Sequence, residues 1–269
     1  PAVSLVAELT ADTVTVASGG IDHKARYLQN LDLVADVDLD RVAGLGGTTL
    51  HIDVLHNAGA FANDAVGALQ CIDNIEVWDP KVRVFEAWAQ TDVGKGASLR
   101  AGVMDLNSEF YTTPSAGLLI APPFGIGSEL AATGPAGPSI FPITAVGARI
   151  EKTVGKTGYV RAGVYNARPG LRAGGVGSSL KFDKGVLAIA QAGVGEAQNV
   201  SVGVWAYSQK QDNIWLTLQG FPGTTKRSQG AYMMVEQPIL PGPDRNLTAF
   251  ARVGISDGKT SLFKGGWQA

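Results

Sequence analysis

Charged and aromatic side chains occupy every second position in several otherwise apolar segments of this chain. In VFEAWAQ (84–90), Glu86 and Trp88 share one parity, and the residues between and beside them are apolar. Carboxylates, guanidinium groups and aromatic rings in this spacing can hydrogen-bond to a polar solute, or they can pair with one another across a solvated wall. For any single residue both interpretations stay open. The candidates are Asp32, Asp36, Asp53, Glu86, Trp88, Arg100, Arg149, Arg161, Trp205, Tyr207, Glu236 and Arg252.

No group of residues has the spacing of a catalytic or metal site. The acidic run from Asp36 begins like a calcium loop, but its sixth position is Arg41 instead of Gly and its twelfth is Gly47 instead of Glu. His51 and His56 lie five residues apart, on opposite faces of an extended strand. No Ser-His-Asp or paired-carboxylate arrangement occurs on neighbouring positions. We therefore predict no enzyme activity, no cofactor and no metal.

The composition excludes several classes of protein. The formal net charge is −2 and the isoelectric point about 5.9, so nothing indicates binding to nucleic acid. Charged residues make up 17 %, against about 25 % in ordinary globular proteins, and 35 of the 269 residues are glycine. No run of about 18 apolar residues is present, which excludes a transmembrane helix. This composition is typical of a β protein with many turns.

The segment LDLVADVDLD (31–40) alternates apolar and acidic residues, as a strand with one apolar and one polar face does. The alternation alone does not decide whether the apolar face meets a protein core or lipid. Similar alternation predicts about eleven strands, many of them as long as a tilted membrane-spanning strand. They lie near 2–16, 26–40, 48–56, 81–91, 97–105, 143–153, 157–166, 186–195, 200–209, 228–238 and 246–256.

Short links and long loops alternate between these predicted strands. Links such as GLGG (44–47) and VGKTG (154–158) contrast with longer excursions, of which 106–142 is the longest. An antiparallel meander with all its short turns at one end has this rhythm, and so do outer-membrane barrels. The connections of a Greek-key sandwich are not expected to alternate in length in this way. The sequence therefore predicts an all-β, transmembrane, antiparallel up-and-down β-barrel.

Several motifs occur in an order typical of a known family. They are VFEAWAQ (84–90), SLRAGVMDLNSEF (98–110), FGIG (124–127), GPSIFPITAVGARI (137–150), RAGVYNARPG (161–170), GVWAYS (203–208), MVEQ (234–237) and FARVGISD (250–257). From about residue 26 onward the chain resembles the carbohydrate-selective porins of the OprB type. The resemblance implies a 16-stranded barrel in the outer membrane of a Gram-negative bacterium, through which glucose and similar sugars diffuse passively into the periplasm. It also implies that residues 1–269 are one incomplete barrel domain, which lacks the N-terminal segment and the last strands.

The resemblance assigns roles to the candidate residues. Glu86 and Trp88 fall within a family motif, so they head the expected pore-lining set of Asp32, Asp53, Glu86, Trp88, Arg100, Arg149, Arg161, Trp205 and Tyr207. The matching residues Asp105, Asn107 and Glu109 are expected to anchor the long loop. The implied partners are sugars and outer-membrane lipid, and the oligomeric state stays open. Two alternatives remain: a non-transport adhesin or structural barrel plugged by the 106–142 loop, and a soluble glycan-binding β-sandwich.

Overall fold

A computed structural model describes residues 1–134, 136–170, 177–195, 200–221, 223, 225–240 and 247–269, and every structural statement below refers to these residues. Twelve strands form one sheet, in which each strand pairs antiparallel with its neighbours in sequence. The strands are β1 (Val3–Val14), β2 (Arg26–Asp38), β3 (Thr48–Gly59), β4 (Val82–Gly94), β5 (Ala97–Met104), β6 (Ala145–Val154), β7 (Gly158–Asn166), β8 (Val186–Val194), β9 (Val200–Asp212), β10 (Thr225–Leu240), β11 (Leu247–Ser256) and β12 (Gly265–Gln268).

The helical segments are short and lie in the connections. They are the α-helices α1 (Leu39–Ala43), α2 (Ser128–Ala131) and α3 (Ile214–Leu218), and the 3₁₀ turns Ala62–Ala65, Ala116–Leu118 and Pro122–Phe124. No helix in the described ranges is long and apolar enough to cross a membrane.

The sheet has polar residues on its covered face and apolar residues on its open face. Residues 105–144, which we call the inward loop, connect β5 to β6 and pack on one face, which we call the inner face. On β7, Arg161 and Tyr165 point to this side and are 8 % and 1 % exposed, whereas Val160 and Val164 on the outer face are 45 % and 48 % exposed. Exposed apolar surface of this extent is unfavourable in water and favourable in lipid.

The outer face is apolar along the whole sheet. Leu33 on β2, Val204 on β9 and Ile255 on β11 are all at least half exposed. The inner and outer sets share parity across neighbouring strands because the antiparallel register pairs residues on the same face. The sheet therefore has the wall pattern of an up-and-down membrane barrel, and the predicted fold class is confirmed.

Several predicted strand ends need correction. β2 ends at Asp38 instead of residue 40, because the Asp38 carboxylate accepts from the N–H groups of Asp40 and Arg41 and caps α1. Helix α1 ends at Ala43 and is capped by Gly44, whose φ of 70° is a left-handed conformation that glycine adopts without strain. β10 is longer at both ends than the predicted 228–238.

The connections follow the predicted rhythm where they are described. Short links follow β2, β4 and β6, and the inward loop of residues 105–144 follows β5. The predicted links after β8 and β10 include residues 196–199 and 241–246, which lie outside the described residues. β1 pairs with β2 and β12 with β11, and in the described chain these two edge strands do not pair with each other.

Candidate functional site

The inward loop is fixed to the inner face by side chains of distant strands. The Tyr111 N–H donates to Gln191 Oε1 (3.1 Å) on β8, and the Ser115 N–H donates to Glu236 Oε1 (2.7 Å) on β10. The Tyr111 ring also stacks on Tyr232 of β10, with the centroids 4.0 Å apart. The loop thus crosses the wall from β5 to β10 and covers a large part of the inner face.

The DLN segment (105–107) makes several hydrogen bonds at the stem of the inward loop. The Asp105 N–H donates to Glu86 Oε1 (2.8 Å), and Asp105 Oδ1 accepts from the Asn107 N–H (2.8 Å). Asn107 Nδ2 donates to the carbonyls of Phe110 (3.1 Å) and Gly125 (3.2 Å), which joins two limbs of the loop. Burial, followed by the nearby Glu86 carboxylate, raises the pKa of Asp105 to about 8. These contacts are of the kind that loop-anchoring side chains make.

Glu109 joins the loop stem to arginines of three strands. Its two carboxylate oxygens each lie 2.9 Å from Nε of Arg149 on β6, and Arg100 Nη1 of β5 lies 3.5 Å from Oε1. Arg161 on β7 donates to the Glu109 carbonyl, and its Nε lies 2.9 Å from Glu151 Oε2. The guanidinium groups are therefore paired with carboxylates in a low-dielectric wall.

The ring of Trp88 is flanked on both sides. His51 on β3 stacks on it with centroids 4.6 Å apart, and Cζ of Arg100 on β5 lies 3.7 Å from the ring centroid. Because β3 and β5 lie on opposite sides of β4, the two groups cover opposite faces of the indole. His51 Nδ1 also lies 2.7 Å from Asp36 Oδ1, and Nε2 lies 3.8 Å from Glu86 Oε2. Neighbouring side chains therefore cover both faces of the Trp88 indole.

Asp32 and Asp53 lie on the inner face of β2 and β3. Asp32 Oδ2 accepts from Asn30 Nδ2 (2.5 Å). Asp53 is buried and is paired in register with Glu86. Both residues thus point to the predicted side, and Asp53 is covered by its neighbours.

Sequence parity missed Arg83, although this side chain is only 1 % exposed. Arg83 Nη2 donates to the Asp79 carbonyl (2.8 Å), and Nη1 donates to Asn57 Oδ1, while Asn57 Nδ2 donates to Asn30 Oδ1 (2.7 Å). The register of β3 and β4 shifts just after Asp53, so Arg83 reaches the inner face from the parity opposite to that of Glu86. The sequence signal for this role was that Arg83 carries a charge at a parity of β4 that is otherwise uncharged.

Trp205 and Tyr207, two of the expected pore-lining residues, lie on the inner face beneath the inward loop. They are 2 % and 1 % exposed, because the inward loop packs over them. The Tyr207 hydroxyl lies 3.0 Å from Thr133 Oγ1 of the loop, and the two rings meet edge to face. Both residues support the loop from below.

The fold and this site define a class: a barrel-type porin whose polar inner wall carries a docked loop. The chain belongs to the carbohydrate-selective porin, OprB family, whose family model matches residues 22–269. Its function is accordingly the passive passage of sugars.

Two solved structures of Pseudomonas putida OprB are similar in fold. The high-pH structure has a TM-score of 0.85 at 16 % identity and covers 98 % of this chain and 69 % of that chain. The low-pH structure has a TM-score of 0.56 at 14 % identity and covers 96 % and 68 %. The comparison with curated proteins found no match.

Proposed function

We propose that one polar cluster selects solutes in an outer-membrane channel through which glucose and similar sugars enter the periplasm. This constriction cluster comprises Asp36, His51, Glu86, Trp88, Arg100, Glu109, Arg149, Glu151 and Arg161. The single observation that carries the proposal is the pairing of Arg100 and Arg149 with the Glu109 carboxylate, at the stem of the inward loop.

The members of the cluster divide by their exposure. The side chains of Asp36 and Glu151 are 46 % and 30 % exposed, and those of His51 and Arg100 are each 15 % exposed. We assign solute contact to these four residues. The remaining members are more deeply covered and hold the four in place.

The pairing of charges explains a preference for neutral, hydroxyl-rich solutes. A sugar needs donors and acceptors that replace its hydration, and it must still leave. Guanidinium and carboxylate groups that already neutralise each other supply both kinds of partner with little net field. An ion gains less from such a site, because attraction to one partner is opposed by repulsion from the other.

The remaining assignments follow from the two faces of the sheet. We propose that residues 1–269 belong to one barrel domain in the outer membrane of a Gram-negative bacterium, with the outer face in contact with lipid. No catalytic step is proposed, because diffusion along a gradient requires none.

Glucose-driven swelling of liposomes that contain the full-length protein tests the proposal. We expect faster swelling than in protein-free liposomes. Arg168→Ala is a matched control, because it removes an arginine from an exposed ion pair with Asp183 outside the cluster. This variant should swell at the wild-type rate, and a wild-type rate equal to that of empty liposomes would sink the proposal.

A second candidate, a non-transport barrel, is favoured by the close docking of the inward loop on the inner face. A plugged barrel should show no conductance in planar bilayers, whereas a porin should conduct. The soluble β-sandwich receives no support, because the described strands form one sheet with an exposed apolar face.

A further inference from the structure

A small polar cavity lies between the inward loop and the wall at β11 and β12. Its volume is about 210 Å³, and its polar lining comes from Gln70, Tyr111, Ser128, Glu129, Arg252 and Gln268. At roughly 30 Å³ per water molecule, this volume corresponds to about seven waters, the size range of one monosaccharide. None of these residues except Arg252 stood out in the sequence.

The cavity is built around a buried carboxylate. Glu129 is 1 % exposed, and its Oε1 accepts from the Tyr111 hydroxyl (2.7 Å), whose ring is fixed by stacking on Tyr232. A Cβ on Gly254 of β11 would lie 1.8 Å from Glu129 Oε1, so glycine lets this carboxylate lie directly on the strand backbone. Gly266, the register partner of Gly254 on β12, leaves open space beside Glu129 Oε2, since a Cβ there would lie 3.6 Å away.

The other walls of the cavity are also held in place. Gln70 Nε2, from the loop between β3 and β4, donates to Ser128 Oγ (2.6 Å) and links that loop to the inward loop. Arg252 is 3 % exposed and donates to Gln268 Oε1 and to the Gly125 carbonyl. A carboxylate, a guanidinium, amides and a hydroxyl thus converge with little freedom to move.

We propose that this cavity binds one neutral pyranose unit, as a subsite separate from the constriction cluster. Carboxylate and amide oxygens accept from vicinal hydroxyl groups, and amide N–H groups donate to them, while the nearby Arg252 compensates the charge of Glu129. The inference rests on the proposed function, because it needs a sugar that enters the barrel.

The other cavities favour different occupants. Three larger grooves lie on the outer face and are lined mainly by small and apolar residues of β6–β11, which is a surface for lipid. The cavity at Glu129 combines enclosure with polar groups on the inner side of the wall, and a hydroxyl-rich ligand fits it best.

Block of the ion current by added glucose, measured in planar bilayers, tests the subsite. Glu129→Gln keeps the shape of the side chain and an acceptor for Tyr111, and we expect it to raise the half-saturating glucose concentration about tenfold. Gly266→Val, which fills the cavity, should have the same effect. The matched controls are Asp183→Asn, in an exposed loop, and Ala251→Val, on the outer face of β11; both should stay within twofold of wild type.

The outcomes separate the subsite from the channel. If glucose closes the wild-type current and both Glu129→Gln and Gly266→Val stay within twofold of it, the subsite does not exist. An effect of Glu129→Gln alone also overturns the proposal, because it means that the charge acts without an occupant in the cavity. If wild-type liposomes do not swell with glucose, the proposed function itself fails, and the subsite inference falls with it.

Discussion

Replacing Glu109 by glutamine should make the channel more permeable to anions. The wild-type carboxylate lies 2.9 Å from Arg149 Nε and 3.5 Å from Arg100 Nη1. Glutamine preserves the volume and one acceptor oxygen but removes the negative charge. The guanidinium groups of Arg149 and Arg100 then have no carboxylate between them, and the local net charge rises by one.

The size of the effect follows from Coulomb's law. A unit charge about 7 Å from a permeating ion contributes roughly 0.6 kcal/mol in water, and screening at about 0.1 M salt reduces this to roughly 0.3 kcal/mol. The added positive charge favours chloride and disfavours potassium by this amount. The two contributions together should raise the chloride-to-potassium permeability ratio about threefold.

The reversal potential of a planar bilayer in a potassium chloride gradient measures this ratio. Asp183→Asn removes the same charge from an exposed loop pair and serves as the matched control, which should leave the ratio unchanged. A ratio in Glu109→Gln equal to that of the control, or one shifted toward potassium, would refute the assignment of Glu109 to the constriction.

Three further changes test other parts of the structure. Glu86→Ala should lower the free energy of unfolding by about 1–3 kcal/mol in urea titrations, because the Asp105 N–H loses its acceptor. Glu86→Gln, which keeps an acceptor oxygen, should lower it by less than half of that amount. Equal losses in the two variants would contradict the anchoring role. Because the pKa of Asp105 is raised to about 8, its contribution to stability is complete below the ordinary aspartate pKa of about 4 and is lost as the pH rises through about 8. The hydrogen-exchange protection of the loop stem, corrected for the intrinsic pH dependence of amide exchange, should therefore fall between about pH 4 and 8 in wild type, and Asp105→Asn should abolish this fall. Persistence of the fall in the variant would assign it to another group. Val164→Arg, on the outer face, should cost about 2–4 kcal/mol when folding is measured in lipid vesicles, and a loss near zero would mean that this face does not meet lipid.

The strands could be predicted because alternation depends on neighbouring residues only. β7 was predicted at 157–166 and lies at Gly158–Asn166, where each inward residue is followed by an outward one. The end of β2 could not be read in the same way, because the period continues through Leu39. The competing interaction there is the Asp38 cap of α1, which depends on turn chemistry instead of periodicity.

The side chains of the site were harder to predict, because their roles depend on contacts across the sheet. Parity placed Trp205 on the inner face correctly, but only the path of the inward loop decides whether that side is wet or covered. Trp88 is flanked by His51 and Arg100 because of the register of three strands. Glu129 lies in a loop without periodicity, so no pattern pointed to it.

The most direct test of the account compares the entry of glucose with that of gluconate, an anion of similar size, into liposomes that contain the wild-type protein. Paired charges in the constriction cluster predict that glucose enters faster than gluconate, and that Glu109→Gln narrows the difference. Equal rates for the two solutes in the wild-type protein would contradict the central claim that the paired cluster selects neutral sugars.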